Sequence, residues 1–203
     1  MFTGIVETKG VICKLEGGRL RISTPWLPDQ LHLGQSMAVD GCCLTITRIH
    51  GNEVEFDLSP ETVGKTTFLE KKSEDLVNLE RGLKLGETLD GHLVTGHIDT
   101  IGAIRKIDIL DSSGSKNIWV DIPSQYLCWL IQKGSVALDG VSLTVNDVDL
   151  SGFSCVLIPH TLKISSLGLK KERDHVNLEF DLIAKYAGRL LPNSQQVKKE
   201  LLV

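Results

Sequence analysis

The residues best equipped for chemistry lie at positions where one half of the chain differs from the other. Thiol, imidazole, hydroxyl and carboxylate side chains are the usual nucleophiles and proton carriers of enzymes. The pairs that differ, first half before second, are Cys43 and Ser142, Ile5 and His97, and Gly82 and Asp181, whereas Thr45 and Thr144 agree. The second half therefore holds groups that suit proton transfer, and the first half holds a thiol.

Each of these residues also has a structural explanation. Ser142 and Thr144 share one face of a predicted strand, which in a small barrel is usually the solvent face. A cysteine such as Cys43 often serves as a small core residue. His97 could be a loop histidine, and Asp181 could cap the helix that follows it. The residue types alone leave these alternatives open.

No site for a metal or a nucleotide phosphate is expected. His92 lies shortly before His97, but no further ligand follows at the spacing of a zinc site. The chain also lacks the glycine-rich motifs that hold nucleotide phosphates.

The two halves form a tandem repeat. Ser36–Glu80 aligns without a gap on Ser135–Glu179, and the opening MFTGIVETKGVI aligns on residues 93–104. Two copies are too few for a solenoid, whose repeats stack in longer arrays. We therefore predict two homologous domains, 1–89 and 90–182, with two related binding sites whose differences reflect different roles.

Each copy has the pattern of antiparallel β structure. Glu53–Leu58 alternates polar and apolar side chains, and with Leu44–Ile49 it forms a predicted hairpin that turns at Gly51 and Asn52. Residues 141–158 repeat this arrangement. Short strands separated by turn residues predict a closed or nearly closed barrel in each half. Short helices are predicted at Ser59–Thr67 and Ser124–Gln132.

The tail, residues 183–203, has no counterpart in the first copy. Its apolar side chains recur at helical spacing up to Pro192, and Asn193 with Ser194 could cap a short final helix. The helix could lie on its own barrel or pack against copies of itself, and the spacing favours neither alternative. The apolar positions are Leu182, Ile183, Tyr186, Ala187, Leu190 and Leu191.

Composition excludes several classes of protein. The net charge of −4 provides no basic surface for nucleic acid, so no nucleic-acid partner is expected. The apolar stretches are too short for a membrane span, and the first residues lack the pattern of a signal peptide. The five cysteines show no paired C-x-x-C spacing, which argues against a disulfide framework and favours a cytoplasmic location.

Five motifs occur in the order and spacing of one known family. They are MFTGIVE at the start, DGCCLT at 40–45, GHLVTGHID at 91–99, DGVSLTV at 139–145 and VNLEFDLIAKY at 176–186. With these motifs the chain resembles riboflavin synthase, a family of lumazine-binding double-barrel proteins. The resemblance implies an all-β fold of two tandem, similar six-stranded antiparallel Greek-key β-barrels, followed by a C-terminal helix that assembles a homotrimer.

The resemblance also implies a reaction. Such enzymes are transferases of riboflavin biosynthesis that dismutate two molecules of 6,7-dimethyl-8-ribityllumazine into riboflavin and 5-amino-6-ribitylaminouracil. They transfer a four-carbon unit without a metal or organic cofactor, and each active site holds two lumazines between neighbouring subunits. An association with lumazine synthase is left open. The alternative is a non-catalytic lumazine- or flavin-binding protein of the same family, which should lack the reactive residues that are complete here.

The binding residues of the family carry over position by position. The first pocket would comprise Gly4, Ile5, Val6, Cys43, Leu44, Thr45, Asp57, Leu58, Ser59, Pro60, Glu61 and Thr62. The second would comprise Gly96, His97, Ile98, Lys133, Ser142, Leu143, Thr144, Val156, Leu157, Ile158, Pro159, His160 and Thr161. The residues implicated in catalysis correspond to Cys43, His97, Ser142, Thr144 and Asp181. His160 departs from the family, because an acidic residue like Glu61 is expected there, so only backbone contacts are expected to survive.

Overall fold

The computed structural model describes residues 1–110, 112 and 114–190. The predicted stop at Pro192, the cap at Asn193 and Ser194 and the final helix lie outside the described residues, as does Leu191. Within the described part of the chain, no helix combines the length and the apolar character that crossing a membrane requires.

The first half folds into a closed antiparallel barrel. Its six strands follow one another around the barrel in the order β1-β2-β5-β4-β3-β6. Alternate side chains point inward, so that Leu44 and Ile46 are buried whereas Thr45 between them is exposed. The strands are β1 (Thr8–Glu16), β2 (Arg19–Ser23), β3 (Ser36–Val39), β4 (Cys42–His50), β5 (Glu53–Asp57) and β6 (Leu76–Arg81).

The second half repeats this barrel strand for strand. Its ring runs β10-β11-β8-β7-β12-β9, which is the order of the first barrel with each strand replaced by its counterpart. The predicted fold of two tandem six-stranded antiparallel barrels is therefore confirmed. The strands are β7 (Thr100–Ile109), β8 (Lys116–Asp121), β9 (Ser135–Leu138), β10 (Val141–Val148), β11 (Gly152–Leu157) and β12 (His175–Phe180).

The short helices follow the fifth strand of each barrel. Helix α1 (Pro60–Lys65) begins at a proline and is capped by Ser59, whose hydroxyl accepts a hydrogen bond from the Thr62 amide at 3.0 Å. Helix α2 (Pro159–Ile164) has the same place in the second barrel and was not predicted. The helix predicted at Ser124–Gln132 is shorter than expected, a 3-10 helix over Ser124–Trp129.

The last described helix, α3 (Leu182–Leu190), lies on its own barrel with one face. Gly188 packs beside Trp129, and the Lys185 ammonium lies 2.7 Å from an Asp99 carboxylate oxygen. The other face leaves Tyr186 and Leu190 exposed to solvent. Both alternatives for the tail are therefore compatible with the helix, because one face is covered and an apolar stripe remains free.

The barrels meet where Asp40-Gly41 faces its repeat counterpart, Asp139-Gly140. Gly41 and Gly140 both have left-handed backbone, with φ of +79°, and a Cβ on Gly41 would stand 2.6 Å from the Gly140 nitrogen. The amide group of Asn78 donates to the Asp139 carbonyl at 2.9 Å, and that of Asn177 donates to the Asp40 carbonyl at 2.9 Å. We call these six residues the junction. The most similar parts of the repeats thus hold the two barrels together.

Two carboxylates are buried within the junction. Asp40 and Asp139 are fully buried, and each forms an ion pair, Asp40 with Lys71 at 2.7 Å and Asp139 with Lys170 at 3.2 Å. Burial, and then the charge of Asp139, raise the pKa of Asp40, while Lys71 opposes this shift. The two lysines therefore compensate the charges of carboxylates that are buried away from water.

We expect Lys71→Met to lower the free energy of unfolding by about 3 kcal/mol, because the Asp40 carboxylate would stay buried without its cation. The double variant Lys71→Met/Asp40→Asn should recover much of this loss. Lys72→Met is the matched control, because Lys72 is exposed. Urea unfolding of the four proteins measures the effect, and equal stability of the two single variants would contradict it.

Candidate functional site

A cleft of about 380 Å³ opens on the outside of the first barrel. Cys43 of β4 lies half-buried in its wall, and α1 provides the opposite side. Glu61 and Lys65 of α1 form an ion pair at 2.8 Å within this wall. The cleft, which we call the first pocket, is lined by Cys42, Cys43, Glu61, Thr62, Lys65, Thr66, Gly96, His97, Ile98 and Asp99.

The first pocket is completed by residues of the second half. The Cys43 amide donates a hydrogen bond to the Gly96 carbonyl at 2.8 Å, which places His97 and Ile98 in the wall of this cleft. His97 therefore lies with Cys43 rather than with Ser142.

The N-terminal segment of the first half lies against the second barrel, just as residues 96–98 of the second half lie against the first. The Ser142 amide of β10 donates to the Gly4 carbonyl at 2.7 Å, so Gly4, Ile5 and Val6 lie against the second barrel. The assignment of these three residues to the first pocket, and of Gly96, His97 and Ile98 to the second, is therefore wrong. We call the equivalent place on the second barrel the second pocket: there Ser142 takes the position of Cys43, and the N-terminal segment takes that of residues 96–98.

Two buried carboxylates hold these segments so that each one contacts the opposite barrel. Glu80 of β6 accepts hydrogen bonds from the amides of Thr3, at 2.6 Å, and Gly4, at 3.0 Å. Glu179 of β12 binds the amides of Thr95, at 2.7 Å, and Gly96, at 2.8 Å. Each segment is thus fixed to its own barrel through its amides, so its carbonyl faces the other barrel.

The faces of the central strands agree with the predicted alternation. Leu44 and Leu143 are buried in the barrel cores, so they contribute only backbone to the pockets. Ser142 is half-buried like Cys43, whereas Thr144 lies exposed on the same face as Ser142. The strands therefore present equivalent positions that carry a thiol in one pocket and a hydroxyl in the other.

Three residues predicted to bind substrate expose apolar side chains. Val156 and Ile158, at the end of β11, are 37% and 54% exposed, and Ile5 of the crossing segment is 44% exposed. Leu157 between them is buried in the core. Exposed apolar surface suits the face of a planar ring.

The remaining predicted residues lie at the rims. Asp57 at the end of β5 and Ser59 and Pro60 at the start of α1 are exposed, and Leu58 is buried. Pro159 and His160 are exposed at the start of α2, with Thr161 half-buried behind them.

Comparison with known proteins identifies the family. The family model of the lumazine binding domain matches residues 3–82 and again 95–181. The riboflavin synthase of Chlamydia pneumoniae is 41% identical over 91% of this chain and 92% of the relative. That of Actinobacillus pleuropneumoniae is 38% identical over 94% of this chain and 90% of the relative. The chain belongs to the riboflavin synthase family.

A solved structure agrees with this result. LumP complexed with riboflavin superposes with a TM-score of 0.79 at 28% identity, covering 89% of this chain and 99% of that protein. The predicted family and the predicted function, that of a riboflavin synthase, are confirmed.

Lys133, one of the predicted binding residues, has an unusual backbone conformation. Its backbone is left-handed, with φ of +67°, at the position where the first copy has Gly34, with φ of +81°. Both amides donate to the central strand, Lys133 to Val145 at 2.8 Å and Gly34 to Ile46 at 2.9 Å. A non-glycine residue tolerates this conformation at a cost, which is typical of functional sites. The side chain is exposed beside Asn146, and its contact with substrate stays a prediction.

Asp181 has the structural role that was considered for it, at the start of α3. Its carboxylate accepts a hydrogen bond from the Ile183 amide at 2.9 Å, and its carbonyl accepts one from the Lys185 amide at 3.1 Å. It therefore caps the start of α3. Burial lowers the pKa of His92, and the charge of Asp181 opposes this shift.

Sequence reasoning missed the imidazole that touches Ser142. Nδ1 of His92 lies 2.7 Å from the Ser142 hydroxyl oxygen. In the sequence His92 was weighed only as a metal ligand, and among the described residues no group of side chains could hold a metal ion. His92 and Ser142 are 50 positions apart in the sequence, so no local pattern indicated that they are in contact.

We expect Gly96→Ala to destabilise the protein more than Gly34→Ala does. The two glycines have nearly the same φ, +83° and +81°, but a Cβ on Gly96 would lie 2.8 Å from the Cys43 nitrogen, whereas one on Gly34 would meet nothing within 4 Å. The shared backbone strain costs about 1 kcal/mol, and overpacking adds about 1–3 kcal/mol at Gly96. Denaturant unfolding of both variants measures the difference, and equal losses would show that the crossing segment does not press on Cys43.

Proposed function

We propose that this chain catalyses the dismutation of two molecules of 6,7-dimethyl-8-ribityllumazine into riboflavin and 5-amino-6-ribitylaminouracil, and is therefore a transferase. The observation that carries the proposal is the pair of equivalent strand positions with different reactive side chains, each held by a segment of the other half of the chain. Two copies of one substrate need two related binding sites, but the donor and the acceptor of a four-carbon unit need different reactive groups. Cys43 and Ser142 provide this difference at the same strand position.

The chemistry fits the groups in the two pockets. The C7 methyl of a lumazine is acidic, because its carbanion is delocalised into the ring, so a modest base removes the proton. Ser142 and Thr144 are hydroxyls of the second pocket that can relay such a proton. Addition at C7 of the other lumazine requires a nucleophile, either water, hydroxide or the Cys43 thiol of the first pocket. Holding two planar rings face to face supplies a further part of the rate.

The active assembly in this proposal is a homotrimer in the cytoplasm. The exposed stripe of α3, with Ile183, Tyr186 and Leu190 at 70%, 62% and 77% exposure, supplies an apolar contact surface. The first pocket of one subunit would face the second pocket of its neighbour, so that both lumazines share one interface. All five cysteines are free, which agrees with a reducing compartment.

Incubation of the purified protein with the lumazine as sole substrate tests the reaction. We expect riboflavin absorbance to appear, with two lumazines consumed for each riboflavin formed and one 5-amino-6-ribitylaminouracil released. Lumazine that is bound, as seen by its fluorescence, but not consumed would instead establish the non-catalytic binding protein.

Mixed oligomers test the shared interface. Cys43→Arg blocks only the first pocket and Ser142→Arg only the second, so each variant alone should lose nearly all turnover. A mixture refolded together contains interfaces in which an intact first pocket meets an intact second pocket, although no chain has both. We expect such mixtures to regain a measurable part of wild-type turnover. Mixed trimers that native mass spectrometry detects but that stay inactive would reject the intersubunit site.

A further inference from the structure

Asp99 is a carboxylate in the wall of the first pocket that the predicted set of binding residues does not include. It follows His97 and Ile98 on the segment of the second half that lies against the first barrel. Its side chain is 16% exposed, so it is largely removed from water without being sealed in the core. A carboxylate in such a place must be hydrogen-bonded to be tolerated, and it is a strong acceptor for a ligand.

Three hydrogen bonds fix the Asp99 carboxylate and leave room for one more. The Lys185 ammonium of α3 donates to Oδ1 at 2.9 Å and to Oδ2 at 2.7 Å, and the Phe180 amide donates to Oδ2 at 2.9 Å. A carboxylate offers about four acceptor positions. Among the described residues no further donor reaches it, so one position on Oδ1 stays available to a ligand.

The backbone of Asp99 is held as firmly as its side chain. The amide donates to the Leu178 carbonyl at 2.9 Å, and the carbonyl accepts a hydrogen bond from the Tyr126 hydroxyl at 3.2 Å. The Tyr126 ring in turn stacks on Phe180, with ring centres 5.5 Å apart. The carboxylate therefore keeps one position, and an acceptor that is already in place loses little conformational freedom when it binds a ligand.

The equivalent carboxylate of the first half obtains its cation from a different element. Glu7, which aligns with Asp99, accepts hydrogen bonds from the amide of Arg81 at 2.7 Å and from its guanidinium group at 2.6 Å. Arg81 aligns with Phe180, which can offer only its amide. In the second half the cation therefore comes from α3, and Lys185 connects this helix to the first pocket.

An ammonium group of the opposite wall lies near Asp99. Lys65 of α1 pairs with Glu61 and lines the same cleft. The pKa of Lys65 is raised, mainly by its hydrogen bond to Glu61, and the charge of Asp99 is among the smaller contributions. A hydroxyl group can donate to the carboxylate and accept from the ammonium, whereas a ring N–H only donates. The two walls therefore suit the hydroxyl-bearing chain of a ligand better than its ring.

We propose that Asp99 is a specificity-determining contact of the first pocket and that Lys185 is its positioning residue. This inference rests on the proposed function, because it takes the lumazine as the ligand. The Asp99 carboxylate accepts a hydrogen bond from a hydroxyl of the ribityl chain, and Lys185 holds the carboxylate in the orientation that this bond requires. The docking of α3 on its own barrel therefore sets the affinity of the first pocket.

Equilibrium binding tests the contact without turnover. All variants are made in the Ser142→Arg background, whose second pocket is blocked, so that the lumazine is bound but not consumed. The probes are 6,7-dimethyl-8-ribityllumazine and 6,7,8-trimethyllumazine, which has a methyl group in place of the ribityl chain. We expect Asp99→Asn to weaken binding of the ribityl compound about 10-fold, because a neutral acceptor replaces a charged one, and to leave the trimethyl compound unchanged. Ligand fluorescence measures both dissociation constants.

Variants of Lys185 test the positioning role. Lys185→Met should weaken binding of the ribityl compound as much as Asp99→Asn does, whereas Lys185→Arg should retain most of the affinity because it keeps a cation. The double variant Asp99→Asn/Lys185→Met should lose no more than Asp99→Asn alone, since Lys185 acts only through Asp99. Arg189→Met is the matched control, because it removes an exposed positive charge from the same helix. If Lys185→Met does not fold, the double variant, in which both charges are absent, decides the question.

The outcomes separate this inference from the proposed function. If Asp99→Asn weakens both probes equally, or neither, the contact with the ribityl chain is rejected. A larger loss in the double variant than in Asp99→Asn would reject the positioning role. Failure of the parent Ser142→Arg protein to bind the lumazine would reject the proposed function together with this inference. Because binding needs no turnover, the predicted losses would uphold the contact even if incubation of the wild-type protein with the lumazine yielded no riboflavin.

Discussion

Two reciprocal hydrogen bonds at the junction fix how the two barrels face each other, and both sites depend on this orientation. Asn78 donates to the carbonyl of Asp139, and Asn177 donates to that of Asp40, across a pair of glycines whose backbones touch. A buried amide without its partner costs about 1–3 kcal/mol. The barrels are therefore held at one relative orientation, and only at this orientation can the segment that opens each half reach the central strand of the other barrel.

Because each of these segments lies against the opposite barrel, both sites are built from residues of the two halves of the chain. Cys43 belongs to one barrel and His97 to the segment that opens the other half, yet both line one cleft. Ser142 is likewise held by both halves of the chain, since its amide donates to the Gly4 carbonyl and its hydroxyl contacts His92. A change in the orientation of the barrels would therefore disturb both sites together, although no reactive side chain is part of the junction.

Much of the fold could be predicted because it depends on local patterns. Alternating side chains with turns at Gly51 and Asn52 identified the hairpin of β4 and β5, and the motifs spread along the chain identified the family. The pairing of pocket segments was predicted wrongly, because the order of residues says nothing about which barrel a carbonyl faces once Glu80 or Glu179 has bound the neighbouring amides. The contact of His92 with Ser142 was missed for a similar reason, since it joins residues that only the closed fold brings together.

The reciprocity of the junction has a consequence for the history of the chain. Every junction contact occurs twice, once in each direction, as in an isologous dimer, where one surface binds its own copy. A single-barrel ancestor could thus have built the same pair of pockets from two separate, identical polypeptides. Joining two such copies in one chain makes their association independent of concentration. It also removes the requirement that both sites be identical, so that one can carry a thiol and the other a hydroxyl with an imidazole partner.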